Sequence, residues 1–194
     1  MDTLPRVRIL VLGDSGAGKT SLVKTLCQEV LFPGNNDVSN QSHQLPLVGW
    51  TLGCNVDVML YETKTSGNCS FIEFVDVGGS SNSAEARAVF YNGVDAVMLV
   101  HDLANDRSFS NLSGWLKELK NSAGRLDSSR ASKTLPTLLV GTKSDKLDKA
   151  GRKKRHSLSG TFDSIEVSAR KKNQGVKFEQ FFDHILRHSL HEIA

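Results

Sequence analysis

The 194 residues are enough for one domain with a substantial core and few for two. A hydrophobic share of 39% against 23% charged excludes disorder throughout, and a net charge of +3 does not by itself call for a nucleic-acid partner. Three cysteines, Cys27, Cys54 and Cys69, with no C-x-x-C spacing, argue against a disulfide framework and fit a reducing compartment.

In chain order, Arg6 and Arg8 introduce the short run ILVLG, too brief for a secretory signal. VRILVLG (residues 7–13) reads as a buried strand, followed by a glycine-rich turn and a helix from Lys19 to about Cys27. Residues 32–49 carry Pro, Gly, Asn and Ser with little periodicity and read as a loop. CNVDVMLYE and CSFIEFVDV read as two strands pairing around residues 65–68. DAVMLVHDL (95–103) and TLPTLLVGT (134–142) are further central strands, and SIEV, ending at Val167, is a weaker sixth. Leu112, Trp115, Leu116 and Leu119 mark one helix at i, i+3, i+4 and i+7. Phe178, Phe181, Phe182, Ile185 and Leu186 mark another, and core packing explains both stripes better than a binding face. Residues 122–133 and 146–160 read as loops; the second contains the basic cluster GRKKRH, read as a solvated segment. The C-terminal HSLHEIA offers no cysteine for prenylation, Asp2 stands where myristoylation needs glycine, and no run has transmembrane length. The expectation is a cytoplasmic chain with no intrinsic membrane anchor, built as α/β units on a mainly parallel six-stranded sheet.

GDSGAGKT (13–20) matches G-x-x-x-x-G-K-[ST] with a strand before it and a helix after it. Asp14, Ser15, Gly16, Ala17, Gly18, Lys19, Thr20 and the following Ser21 are the expected phosphate-binding residues. Gly16 and Gly18 let the backbone fold around phosphate oxygens, and the helix N-terminus adds partial positive charge. Lys19 is expected to bridge the β- and γ-phosphates and Thr20 to bind Mg²⁺. Asp76, closing FIEFVD, is expected to serve the same metal through water, and Gly78 to bring a backbone N–H to the γ-phosphate.

GTKSD (141–145) follows a central strand. Asp145 is suited to accept two hydrogen bonds from the N1 and exocyclic amine of guanine, while the alkyl stem of Lys143 covers the base. VSAR places Ser168 and Ala169 in a turn with a backbone N–H for guanine O6.

GDSGAGKT, DVGG, TKSD and SAR, in this order, resemble the nucleotide motifs of Ras-superfamily small GTPases, and RVRILVLGDSGAGKTSLV, TLGCNV and VFYNGVDAVMLVHDL resemble the Rab branch. The resemblance covers about residues 5–190 and implies a single phosphate-loop NTPase small G domain over 1–194, with helices on both faces of the sheet, binding GTP or GDP with Mg²⁺. It implies that Thr51 is the first-switch Mg²⁺ threonine, that Phe32 is a candidate to stack on guanine, and that switch regions meet effector or regulatory proteins in vesicle traffic or signalling. Self-association through the switch faces is left open. Two positions depart from the family: Thr142 replaces an asparagine that braces the phosphate loop, and Arg170 replaces a lysine.

A third departure bears on hydrolysis. The residue after D-x-x-G is generally a glutamine that orients the attacking water, and here it is Ser80, too short to take its place. Asn82 carries an amide two positions late. The leading expectation is a guanine-nucleotide switch with weak GTPase activity. The alternatives are a non-hydrolysing nucleotide-bound scaffold, an ATP-using phosphotransferase, disfavoured by TKSD and VSAR, and, weakest, a nucleic-acid module built on GRKKRH.

Overall fold

The structure, a computed structural model, describes residues 4–31, 49–64, 67–80, 84–126, 135–147, 162–171 and 174–190. Six strands form one sheet in the order β2-β3-β1-β4-β5-β6. They are β1 (Arg6–Leu12), β2 (Cys54–Glu62), β3 (Cys69–Val77), β4 (Ala96–Asp102), β5 (Thr137–Thr142) and β6 (Asp163–Glu166). All adjacent pairs are parallel except β2 with β3, an antiparallel pair that runs from Cys54 opposite Val77 to Glu62 opposite Cys69. The mainly parallel sheet expected from the sequence is therefore present, with β2 and β3 at the expected bounds and ends of the other strands shifted by one to three residues. β5 begins at Thr137, and Leu135 and Pro136 fall outside it, in keeping with a proline that has no N–H to give a ladder; Thr134 lies outside the described residues.

Helices cover both faces, and the period-2 alternation of β1 shows why. Val7, Ile9 and Val11 point into a core shared with α1 (Lys19–Leu31) and α5 (Glu179–Leu190), through Leu22, Val23, Leu26, Phe182, Ile185 and Leu186. Leu10 and Leu12 point to the opposite face, where Tyr91, Val94, Leu112, Trp115 and Leu119 pack. The second layer is built by α4 (Leu112–Leu126), preceded by two short helices, α2 (Ala84–Arg87) and α3 (Asp106–Ser110). Both apolar stripes identified in the sequence are core, and Phe182 makes edge-on contacts with Tyr61 and Phe74.

Two helices run longer than their sequence pattern: α1 reaches Leu31 and α4 reaches Leu126. In α4 the helix runs on through Ser122, where the sequence reads as a loop, and the Ser122 hydroxyl satisfies itself on the Glu118 carbonyl one turn back at 3.0 Å. Most of the loop at 32–49, with Phe32, lies outside the described residues, as do Asn82 and the basic cluster at 152–156. Among the described residues no helix is long and apolar enough to cross a membrane.

The parallel strands β1, β3, β4, β5 and β6 end on one edge of the sheet, and the described site residues lie at or just after those ends, with Thr51 before the start of β2 at the same edge. That edge is where open α/β sheets leave a crevice for ligands.

Candidate functional site

The loop joining β1 to α1 closes tightly. Gly13 has φ +148° and a side chain there would strike the Val100 carbonyl at 2.0 Å, so only glycine lets the chain turn off β1 at this place. Lys19 is buried at the first turn of α1, its ammonium donating to the carbonyls of Gly13 at 2.8 Å and Asp14 at 3.1 Å. Burial holds its pKa below the ordinary lysine value, with Asp76 and Asp14 pulling the other way. The Asp14 carboxylate points away from this ammonium and accepts from Trp115 Nε1 at 2.9 Å and Asn111 Nδ2 at 2.7 Å, so α4 and the residue before it anchor the loop.

Three oxygen-bearing side chains meet at the foot of the loop. Thr20 Oγ1 donates to Asp76 Oδ2 and lies 3.0 Å from Thr51 Oγ1, although the three residues belong to α1, the end of β3 and the segment before β2. Asp76 is fully buried, which pushes its pKa up, and its Oδ1 has no hydrogen-bond partner among the described residues. An orphaned buried carboxylate oxygen beside two hydroxyls fits a hard divalent cation or its water shell. Among the described residues no group of three or more His, Cys, Asp or Glu offers a metal site of another kind.

The two glycines after Asp76 have different neighbours. Gly78 donates its N–H to the Gly53 carbonyl at 2.8 Å, and a Cβ on it would lie 2.6 Å from the Thr51 carbonyl, so it joins the Thr51 segment to β3. Gly79 is the one against the phosphate loop: its carbonyl accepts from Ser15 N at 3.1 Å, and a Cβ would lie 2.4 Å from that nitrogen. Gly79, which closes the D-x-x-G spacing that located Ser80, was not among the residues singled out in the sequence. Ser80 itself is exposed.

The opposite end of the loop borders a cavity lined by Gly18, Ser21, Leu22, Thr142, Lys143, Asp145, Lys146, Val167, Ala169 and Arg170. Leu22, Lys146 and Val167 were not singled out in the sequence. Lys143 takes a left-handed conformation (φ 58°, ψ 35°), and its ammonium bonds the Gly16 carbonyl and Asp102 Oδ2, each at 2.7 Å. Asp145 Oδ1 accepts from the Ser168 hydroxyl at 2.5 Å, which holds the Asp145 carboxyl below the usual carboxylate range. Ser168 is buried, and the Arg170 guanidinium lies 3.9 Å from Asp145 Oδ2 while remaining largely exposed. Thr142, in place of the family's asparagine, still reaches the loop: its hydroxyl is within hydrogen-bond distance of the Ala17 carbonyl at 2.5 Å and the His101 carbonyl at 3.0 Å. The structure thus brings the TKSD and SAR segments together and ties TKSD to the phosphate loop.

A sequence model of the Ras family matches residues 8–191 of this chain. The chain belongs to the Ras family. Within that family it is 36% identical to Rab-like protein 3 of Xenopus tropicalis over 217 residues, covering 96% of this chain and 87% of that protein. The human Rab-like protein 3 is also 36% identical, over 220 residues, with 96% and 86% covered. Small GTPase LIP1 of Arabidopsis thaliana is 31% identical over 163 residues, 76% of this chain and 44% of its own length. The chain is thus a Rab-like small GTPase, its six-stranded sheet is that of a small G domain, and Ras-family membership makes it a GTP-binding regulatory switch.

Proposed function

We propose that this Ras-family switch holds GTP or GDP together with Mg²⁺ at the crevice described above, and hydrolyses GTP slowly when alone. The convergence of Thr20, Thr51 and Asp76 carries the reading. A threonine 31 residues downstream of Thr20 has no structural need to meet it, and a γ-phosphate-dependent metal shell gives that meeting a purpose. Thr20, Thr51 and, through water, Asp76 would hold the ion, which when bound spreads the negative charge of the β- and γ-phosphate oxygens. Lys19 and the backbone of residues 14–18 would hold the phosphates, with Ser21 beside them and Gly79 above. Asp145 would accept from the guanine edge, Ser168 keeping it charged and oriented, while Ala169 and Arg170 close the rim and the Lys143 stem covers the ring.

Slow hydrolysis rests on Ser80. The residue directly after Gly79 carries no amide, so the attacking water lacks the group that orients it in glutamine-bearing relatives. That same feature favours a second reading, a nucleotide-bound scaffold that does not hydrolyse.

Partner recognition would use the apolar side chains left open near Thr51. Trp50 and Leu52 are 87% and 92% exposed, and Val56, Val58 and Leu60 form an open stripe along the edge strand β2. Effector or regulatory proteins, acting in the cytoplasm in signalling or vesicle traffic, would read this face once nucleotide orders it, and self-association would use it too.

The test is to quantify the nucleotide that copurifies with the chain, then measure GTP and GDP affinity with and without Mg²⁺ and single-turnover hydrolysis. Tight binding of both, weakened by chelation, is the expected result, with a faster Ser80→Gln variant. No binding at micromolar nucleotide rejects the switch. A wild-type rate equal to that of a glutamine-bearing Rab rejects the role given to Ser80, and no turnover at all selects the scaffold.

A further inference from the structure

Arg87, at the end of α2, is 4% exposed, an unusual burial for arginine, and the nucleotide chemistry above makes no use of it. Its Nε and Nη2 donate to the two carboxylate oxygens of Glu118 at 2.6 and 2.7 Å. Its guanidinium carbon lies 4.3 Å from the centre of the Trp115 ring, a cation–π distance. The remaining nitrogen, Nη1, donates to the backbone carbonyl of Ser80. Tyr91 shares Glu118 with it, its hydroxyl donating to Oε1 at 2.5 Å.

These contacts have a direction. Tyr91 and Trp115 are packed in the core, and Glu118 lies on the same helix as Trp115. Ser80 alone is exposed and belongs to a connecting segment. A planar fork seated on Glu118 and Trp115 has its third nitrogen aimed at one place, so the scaffold holds the Ser80 carbonyl. The Trp115 ring is fixed in turn by its bond to Asp14 of the phosphate loop, and Ser80 follows Gly79, whose carbonyl accepts from Ser15 of that loop. The Gly79–Ser80 backbone is therefore tied at one end to the loop and at the other to Arg87.

A purely structural ion pair joining α2 to α4 would explain the Glu118 fork. It does not call for the Ser80 bond, and buried ion pairs stabilise little compared with apolar side chains of the same size.

We propose that Arg87 is a positioning residue for the triphosphate state: through the Ser80 carbonyl it sets the Gly79–Ser80 backbone over the phosphate loop. This rests on the switch reading and deepens it, because it names what steadies that segment in a chain without the usual glutamine. Only a nucleotide with a γ-phosphate would sense the setting, so loss of Arg87 weakens GTP and spares GDP.

The experiment uses the full chain loaded with fluorescent GDP or a fluorescent non-hydrolysable GTP analogue, comparing release from wild type, Arg87→Lys and Arg87→Gln. Arg87→Lys keeps the charge and loses the fork. Loss of one charge-assisted hydrogen bond is expected to speed release of the analogue by about tenfold or more, with GDP release within about twofold. Equal acceleration of both, or of neither, overturns the proposal and leaves a structural ion pair. Hydrogen exchange around Ser80 in the wild type gives a reading free of any variant: stronger protection with the analogue than with GDP supports the proposal, and equal protection overturns it. A wild type that retains neither nucleotide fails the switch reading itself, whereas one that retains both while Arg87→Lys releases both alike fails only the role of Arg87.

Discussion

The hydroxyl of Thr142 reaches the carbonyl of Ala17, joining the end of β5 to the phosphate loop across 125 positions of sequence. Where the family has an amide, one hydroxyl does the bracing. Thr142→Val keeps the shape and leaves both the Ala17 and His101 carbonyls without this donor. The brace acts on the loop backbone, so GDP and GTP should be released faster by the same factor, about 3- to 30-fold for a buried bond lost. Fluorescent-nucleotide dissociation rates check this; a change confined to one nucleotide contradicts it.

Asp145 is expected to carry the guanine preference. Asp145→Asn removes the charged double acceptor and should weaken GTP and GDP by about 10- to 100-fold, with a smaller loss for xanthine nucleotides, whose edge offers an acceptor to the new amide. Titration calorimetry with both bases measures it, and unchanged GTP affinity would mean the base is read elsewhere. Ser168→Ala should lie between wild type and Asp145→Asn, because it only frees the carboxylate from the bond that orients it.

Gly79→Ala places a methyl group about where Ser15 N, the Asp14 carbonyl carbon and the Gly13 oxygen now stand, 2.4 to 2.5 Å away. All three are backbone atoms and have little room to yield. The substitution should lift the segment off the phosphate loop and lower affinity for a GTP analogue about tenfold or more relative to GDP. A nucleotide competition assay reads the ratio.

Glu118 contributes a pH dependence to stability. Burial pushes its pKa up, but hydrogen bonds from Arg87 and Tyr91 outweigh this and hold it below its ordinary value of 4.5. A depressed folded-state value means that the stability is fully present above the ordinary value and is lost as pH falls through the lowered one. Glu118→Gln should cost about 1–3 kcal/mol at neutral pH and make the acid loss of stability shallower. Urea unfolding at neutral and acidic pH measures both effects, and parallel curves for wild type and variant would show that Glu118 does not carry the dependence.

Much of this arrangement was legible because its signals are local. Strands β2 and β3 begin and end where their alternation does, and the phosphate loop is one contiguous motif between a strand and a helix. The Arg87 cluster was not legible, because α2 is four residues long and has no period to read. Nothing in the string says that Arg87 meets Glu118, 31 residues on. Thr142 misled in the opposite direction: substitution of an amide suggested a lost brace, while the close approach of β5 to the loop lets a shorter side chain span it. The Gly78–Gly79 pair shows a third limit, since adjacent glycines look alike in sequence and differ only in what a Cβ on each would strike.

Lys143 is the only non-glycine residue with positive φ among the described residues. A lysine held there forgoes on the order of 1 kcal/mol that a glycine would not. Its ammonium, between Gly16 and Asp102, is what the chain gains in exchange. Lys143→Gly would relieve that backbone cost but lose both contacts, so the variant should melt earlier as well as hold nucleotide less well.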